Sequence, residues 1–220
     1  MPGPGPVLPA QGIERNERSC YYFRVSKGDL TRTAILDEAS RVASRVGLGG
    51  LTIGTLAAQT NLSKSGLFGH FQSKEALQLQ VLEHGINRFV DVVVRPALAA
   101  PRGEPRMRAL FANWLKWESA LPGGCLFIAA AVEFDDQPGP VRDRLVRSQQ
   151  DWLDTVAQVF RSGIAEGHFR PDADPDQFAY DLYSVMLGYH HASRLLNDPA
   201  AGTRAEVAFE MLLATRAPAG

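Results

Sequence analysis

The sequence predicts an all-α fold, and three observations support this prediction. Apolar residues recur at three- and four-residue spacing along most of the chain, as they do in amphipathic helices. No stretch of useful length alternates apolar and polar residues as a half-buried strand would. Glycine and proline clusters separate the helical stretches. Eight or nine helices are expected in these 220 residues, which are enough to bury a substantial core.

The composition is that of a globular protein, with 45% hydrophobic and 21% charged residues. No apolar run approaches the roughly 18 to 20 residues that span a bilayer, so no membrane partner is expected. Residues 1–10 lack the basic start and apolar stretch of a secretory signal. Two cysteines, Cys20 and Cys125, are too few and too far apart for a disulfide framework. A cytoplasmic location is therefore expected.

Charge is distributed unevenly along the chain. Residues 1–74 contain nine Lys and Arg against five Asp and Glu, whereas residues 75–220 contain fourteen against nineteen. A basic first part followed by an acidic remainder is typical of a DNA-binding domain fused to a regulatory or dimerising domain.

Residues 1–26 contain four prolines and no periodic apolar pattern. Three interpretations are open. The composition favours a disordered arm. Translation could instead begin near Val25, or the segment could be an arm that contacts DNA.

The next stretch predicts three helices that form a small domain over residues 27–74. The first begins near Asp29, and Gly47 ends it. Two short helices follow, capped by Thr52 and Ser63. Apolar residues from all three define one small core: Ile35, Leu36, Ala39, Val42, Ala43, Val46, Leu48, Leu51, Ile53, Leu56, Ala57, Leu67 and Phe71. Two short helices joined by a tight turn fit a helix-turn-helix, whose second helix enters a major groove of DNA.

Helices also account for the remainder of the chain. Ser73 caps a long fourth helix that is expected to end at Val94 or Arg95, ahead of Pro96, with a loop from Ala97 to Gly103. Further helices are predicted over about 104–120, 125–134, 140–166, 174–196 and 202–215. Asp174 caps the fourth of these, with Pro175 at its first position.

The helix-turn-helix segment resembles the N-terminal domain of the tetracycline-repressor (TetR) family. The family motif reads approximately Ser-x-Gly-x-Leu/Ile-Tyr-x-His-Phe followed by x-Ser/Asn-Lys, and this chain has Ser63-Lys-Ser-Gly-Leu-Phe-Gly-His-Phe71 and then Gln-Ser-Lys74. The resemblance implies DNA-facing positions at Thr52, Ser63, Lys64, Ser65, Phe68, His70 and Lys74. Phe68 stands where the family usually has a tyrosine whose hydroxyl contacts a phosphate. Phe68 must instead pack against a sugar or against its own domain.

The same resemblance implies an architecture and a function. A helix-turn-helix domain is joined by the long fourth helix to a helical ligand-binding and dimerisation domain over residues 75–220. The protein would bind a near-palindromic operator as a homodimer, as a repressor that a small, largely apolar effector releases. Dimerisation falls on the last two helices, with Leu182, Val185, Tyr189, Phe209 and Leu213 as candidate interface residues.

An aromatic and polar set on the later helices predicts an effector cavity, because ligand pockets are mostly apolar with a few orienting polar groups. The segments Pro122–Phe127 and Glu133–Pro140 also resemble a recurring pattern in TetR-like C-terminal domains. The candidate ligand-binding residues are Phe111, Trp114, Trp117, Cys125, Phe127, Glu133, Trp152, Tyr183, Met186 and His190.

Two other classes of protein remain as alternatives. One is a helical small-molecule-binding protein that has lost strong operator binding. The other is an enzyme, which the sequence disfavours because Cys125 has no acid–base partners nearby in sequence; a redox-sensing thiol is a further alternative for this residue. Adjacent His190 and His191 point about 100° apart on a helix and make a poor metal pair. No cofactor or metal is expected.

Overall fold

The computed structural model describes residues 27–60 and 62–218, and within these ranges the regular structure is helical throughout. The helices are α1 Lys27–Val46, α2 Ile53–Gln59, α3 Lys64–Phe71, α4 Lys74–Phe89, α5 Arg95–Leu98, α6 Glu104–Glu118, α7 Leu126–Phe134, α8 Pro140–Ala165, α9 Pro175–Arg194 and α10 Ala201–Ala214. The all-α prediction is confirmed. The predicted arm over residues 1–26 lies outside the described residues.

Side-chain caps fix the starts of four helices where the sequence placed them. Each capping oxygen accepts a backbone N–H of the first turn at 2.9 to 3.2 Å. At α2 the cap is reciprocal, since Thr55 Oγ1 also accepts the backbone N–H of Thr52 at 2.8 Å. The caps are Thr52, Ser63, Ser73 and Asp174.

The fourth helix is longer than the sequence predicted. A π-helical segment, Val90–Val94, follows α4 directly and leads into α5, which contains Pro96. The helix therefore ends at Leu98 rather than at the expected Val94 or Arg95, and the expected loop from Ala97 to Gly103 is limited to residues 99–103. Proline lacks a backbone donor and its ring crowds the preceding turn, and the wider π turn accommodates it. Asn113 on α6 donates its side-chain amide to the Val93 carbonyl at 3.2 Å, which satisfies an acceptor in this segment.

Helices α1–α3, here called the head, enclose the small core that the sequence predicted, except that Val46 is 51% exposed at the end of α1. Its centre is fully buried and includes Leu48, Leu56, Leu67 and Phe71. The body consists of α4–α10 with the π segment. In the body, Phe160 stacks between Phe169 and Phe178 at centroid distances of 4.3 and 4.2 Å. None of the described helices is long and apolar enough to cross a membrane.

The end of α1 and the turn after it seat the head on the body. Gln78 on α4 is buried and donates its side-chain amide to the Leu48 carbonyl at 2.7 Å. The Gly123 N–H donates to Ser44 Oγ at 3.1 Å. A Cβ at position 123 would lie 1.5 Å from the Ser44 carbonyl oxygen, so only glycine allows this approach.

Polar contacts closer to solvent hold α4 against α1 on one side and against α8 on the other. Asp37 on α1 contacts His84 Nε2 at 2.9 Å and Arg88 Nη1 at 2.8 Å, both on α4. Arg144 on α8 binds the Glu83 carboxylate of α4 through two nitrogens, at 2.8 and 3.2 Å. Helix α4 is therefore held on one side by α1 of the head and on the other by α8.

Candidate nucleic-acid interface and internal cavity

Helix α3 has one face in the head core and the other in solvent. Leu67 and Phe71 point inward and are fully buried. The cap Ser63 accepts the Gly66 N–H and lies 3.2 Å from Ser65 Oγ, so the start of the helix is ordered by local hydrogen bonds. The predicted DNA-facing residues of this segment are all exposed: Ser63, Lys64, Ser65, Phe68 and His70.

The other two predicted DNA-facing residues flank α3. Lys74 is exposed at the first position of α4. Thr52 is partly buried, and its hydroxyl oxygen accepts the Thr55 N–H at 2.9 Å. A phosphate contact from Thr52 would therefore use its hydroxyl proton, because the oxygen already serves as the cap of α2.

Phe68 is 58% exposed on the outer face of α3. It does not pack into the head, which was one of the two roles open to it. An apolar ring displayed beside Lys64 and His70 is available to sugars and base edges but donates no hydrogen bond to a phosphate.

A cavity of about 130 Å³, partly open to solvent, lies in the body. Its walls come from α4 with the π segment, α6, α7, α8 and α9. Five of the predicted ligand-binding residues line it: Trp114, Cys125, Phe127, Trp152 and Tyr183.

Phe89 of α4 organises the aromatic wall of this cavity. Its ring meets Trp152, Trp117 and Phe127 edge-to-face at centroid distances of 5.0, 5.4 and 5.8 Å. Such pairs stabilise the wall beyond the burial of apolar area alone. Trp117 lies behind this wall and stacks on Phe127 at 6.1 Å rather than lining the cavity.

The polar groups of the cavity lie mainly on α8. They are Ser148, Gln149, Asp151 and Thr155, and Tyr183 of α9 donates its hydroxyl proton to Gln149 Oε1 at 2.8 Å. Burial raises the pKa of Tyr183 to about 12, so its phenol keeps its proton at neutral pH. Among the described residues that line the cavity, Asp151 is the only one with a charged side chain.

Four more of the predicted ligand-binding residues also lie away from the cavity. Phe111 on α6 stacks on Phe209 of α10 at 4.2 Å, and Met186 is fully buried in the core. Glu133 accepts the Gly49 N–H at 2.6 Å, at the seat of the head. His190 Nδ1 lies 2.6 Å from Glu118 Oε1, a contact for which the sequence offered no signal.

Glu118 is a buried carboxylate with 2% of its side chain exposed. Its second oxygen accepts the Cys125 N–H at 3.2 Å, and Arg194 donates to the Pro122 carbonyl nearby at 2.8 Å. These contacts fasten the loop between α6 and α7 to α9. A buried carboxylate needs such partners. Within the described part of the chain, no cluster of residues could hold a metal ion.

Three of the predicted dimer residues are buried inside a single chain. Leu182, Phe209 and Leu213 are at most 4% exposed, whereas Val185 and Tyr189 are half-buried. The sequence pattern marks the apolar side of α9 and α10, and that side faces the protomer's own core. The outward faces of the two helices carry other large apolar side chains, namely Tyr180, Leu187, Val207 and Met211.

Several cavity residues were missed by the sequence. The spacing of Leu82, Ile86, Phe89 and Val93 along the fourth helix indicated packing between helices, which includes Ile86, whereas Val90 and Val94 lay outside that pattern. Phe89 is aromatic and lies in the same stretch, so its ring was a usable signal. The remaining missed residues are Ile128 and the α8 set of Ser148, Gln149, Asp151 and Thr155.

The fold and these two features define a class: a helix-turn-helix DNA-binding protein with an all-helical second domain that contains a cavity. Two family models agree with this class. Residues 35–81 match the model of bacterial regulatory proteins of the tetR family, and residues 103–209 match the tetracyclin repressor-like C-terminal domain. The chain belongs to the TetR family of transcriptional regulators, which are not enzymes.

Relatives agree with this assignment. The transcriptional repressor DhaR of Mycobacterium sp. is 26% identical over 161 residues, covering 71% of this chain and 79% of DhaR. A TetR regulator from Chloroflexus aurantiacus has a TM-score of 0.74 at 28% identity, covering 86% of this chain and 94% of that one. AibR, solved with isovaleryl coenzyme A and operator DNA, has a TM-score of 0.62 at 22% identity, covering 79% and 95%.

Cys125 is expected to be chemically inert in the folded protein. Burial raises the pKa of its thiol to about 11, and the negative charge of Glu118 adds to the effect. Since the thiolate is the nucleophile, reactivity stays low at neutral pH and rises only as the pH approaches 11. In a Cys20→Ser variant at pH 7.5, modification by a disulfide reagent is expected to be at least about 100-fold slower than after unfolding in guanidinium. Rapid stoichiometric modification of the folded protein would contradict this.

Proposed function

We propose that this protein is a ligand-responsive repressor that binds a near-palindromic operator as a dimer and is released by an effector in the body cavity. One observation carries the proposal. Helix α4 begins with the exposed Lys74 beside the recognition helix and reaches the cavity at Ile86 and Phe89. The repressor activity of DhaR supports the same assignment.

In this proposal residues 27–74 form the DNA-binding domain and residues 75–220 the regulatory and dimerisation domain. The exposed start of α3 enters a major groove, where Lys64 contacts phosphate and the small Ser63 and Ser65 allow close approach. A dimer presents two such helices to half-sites about 34 Å apart. The site of action is then the bacterial cytoplasm.

The dimer interface in this proposal is the outward face of α9 and α10. Tyr180, Leu187, Val207 and Met211 are between 41% and 68% exposed on α9 and α10, so their apolar area is available for burial by a partner. A second copy of the same chain would cover it through a two-fold, self-complementary contact. The half-buried Tyr189 and Val185 would lie at its margin.

The effector in this proposal is a largely apolar molecule that is neutral or cationic. The aromatic wall around Phe89 provides the apolar contacts, and the α8 side chains orient a polar end. An anionic head group would face Asp151 without a cationic partner among the described lining residues. A cation would find the Asp151 carboxylate and nearby aromatic faces.

Release requires that the effector prefer a state in which the heads no longer match the operator. A ligand with equal affinity for both states shifts nothing. AibR has a similar fold and was solved with isovaleryl coenzyme A and operator DNA, which supports the proposal that this fold binds both an effector and DNA.

One observation favours the alternative function, a small-molecule-binding protein with weak operator binding. Phe68 replaces the usual tyrosine and is exposed, so one phosphate contact of the family is absent. The alternative predicts no sequence-selective binding to any duplex.

Operator binding should depend on Lys64 and not on lysines of the body. Duplexes selected by the wild-type protein from a random library provide the ligand. The Lys64→Ala variant is expected to bind about 5- to 30-fold more weakly, with a salt dependence reduced by about one phosphate contact. Lys116→Ala removes the same charge from α6 and should leave affinity unchanged. Equal affinities for all three proteins would contradict the role of Lys64, and a failure of the wild type to select any duplex would favour the alternative function.

Disruption of the α9–α10 face should yield monomers. Met211 is 62% exposed on α10, and a Met211→Asp charge would be buried without a partner in the dimer. At micromolar concentration the wild type is expected to have the mass of a dimer and the variant that of a monomer, by light scattering after gel filtration. Val132→Asp is the matched control, since Val132 is 74% exposed on α7. A dimeric Met211→Asp variant would place the interface elsewhere.

Occupancy of the cavity can be followed with N-phenyl-1-naphthylamine, a neutral apolar fluorophore. Trp114 and Trp152 line the cavity, so a bound probe should accept energy from them. Ser148→Phe narrows the cavity and is expected to weaken binding at least about tenfold, since overpacking excludes the probe. Gln150→Phe adds the same ring on the exposed face of α8 and serves as the control. Equal binding by both variants would place the probe outside the cavity.

A further inference from the structure

Glu133 lies where α7 meets the head, and its surroundings differ from those of a ligand-binding residue. Its carboxylate oxygen Oε2 accepts the Gly49 N–H at 2.6 Å. Charge-assisted hydrogen bonds of this length are among the stronger contacts between two units of a protein. Gly49 belongs to the turn between α1 and α2, so this single side chain joins the body directly to the start of the helix-turn-helix.

The glycines of the turn leave room for this contact. Gly47 adopts a φ of +81°, and a Cβ there would lie 2.2 Å from Glu133 Oε1. A Cβ at Gly49 would lie 3.1 Å from Oε2. The glycines therefore leave a space that the carboxylate fills. Gly47 is needed both for its left-handed conformation and for this close approach.

The position of Glu133 on its own helix is unfavourable without a partner. It occupies the last turn of α7, where the helix dipole disfavours a negative charge. The Gly49 N–H supplies the compensating partial positive charge. Gln137 donates to the Glu133 backbone carbonyl at 2.7 Å, which ties down the end of the helix.

The other end of α7 forms part of the cavity wall. Phe127 and Ile128 line the cavity, and Ile128 precedes Glu133 by five residues, which is roughly 7.5 Å along a helix. Helix α7 has nine residues and no glycine or proline, so it moves as one piece. An occupant that displaces Phe127 and Ile128 therefore also displaces the Glu133 carboxylate.

We propose that Glu133 is a positioning residue that orients the DNA-binding head on the body, and that α7 relays cavity occupancy to the Gly49 turn. The inference rests on the proposed function, because it needs an operator and an occupant of the cavity. It adds a second contact path to the one along α4, through a residue that touches neither ligand.

The first test measures operator affinity with three variants. Glu133→Ala is expected to bind the selected duplex about tenfold more weakly than the wild type, since the head loses its orientation. Glu133→Gln keeps an oxygen that accepts the Gly49 N–H and should stay within about threefold of the wild type. Asp136→Asn removes a charge from the exposed end of the same segment and is the matched control.

The direction of the change in operator affinity shows whether Glu133 acts by orienting the head or only through its negative charge. Loss of an acidic group from a DNA-binding protein favours association with the polyanion, so Asp136→Asn should bind as well as the wild type or slightly better. A Glu133→Ala variant that behaves like Asp136→Asn would overturn the positioning role. Circular dichroism and thermal unfolding establish that each variant is folded.

The second test uses the wild-type chain and needs no variant. Hydrogen exchange at the Gly49 amide is followed by NMR with and without saturating N-phenyl-1-naphthylamine. Exchange at Gly49 is expected to accelerate at least about fivefold when the probe is bound, whereas the Thr55 amide, capped within the head by Thr52, stays unchanged. Unchanged exchange at Gly49 with bound probe would overturn the relay.

The outcomes distinguish this inference from the proposed function. Failure of the wild type to select a duplex, or to bind the probe, counts against the proposed function. Selective binding that depends on Lys64 but not on Glu133 counts against the positioning role alone.

Discussion

The seat formed by residues 44–49 is the constraint on which the arrangement of the two units depends. Three parts of the body reach this short stretch: Gln78 from α4, Gly123 from the loop before α7, and Glu133 from the end of α7. Each contact joins a side chain of one unit to a backbone group of the other, so the backbones of the two units are held close together at this point. The orientation of the recognition helix therefore follows from how α4 and α7 lie relative to each other.

The body divides its polar groups into two sets with different roles. The buried Glu118 with His190 and Arg194 fastens the loop before α7, and those side chains face away from the cavity. The second set, on α8 and at Tyr183, faces the cavity and remains partly available to a ligand. The first set fixes the position at which α7 begins, whereas the second would sense what occupies the cavity. Helix α7 thus begins next to the Glu118 contacts and also forms part of the cavity wall.

Local signals in the sequence predicted the helices and their starts, because caps at Thr52, Ser63, Ser73 and Asp174 act over three residues. The family motif identified the exposed residues of α3 because it too is a local pattern within one short segment. Burial between helices was harder to predict, since Leu182 and Phe209 share the apolar pattern of an interface but face their own core. Glu133 was misplaced because its partner is a backbone N–H 84 residues away, which leaves no mark in sequence. The wider turn before Pro96 was missed because a proline usually marks the end of a helix, whereas here the π turn accommodates it and Asn113 of α6 satisfies the Val93 carbonyl.

The π segment at Val90–Val94 has a consequence for the wall of the cavity. In an α-helix, residues four apart drift by about 40° around the helix axis. A π turn contains about one residue more than an α turn, and this offsets the drift between Val90 and Val94. Both valines line the cavity next to Phe89. The extra residue therefore keeps the helix side that faces the cavity continuous for one further turn, and a relative without it would rotate the position of Val94 away from Val90.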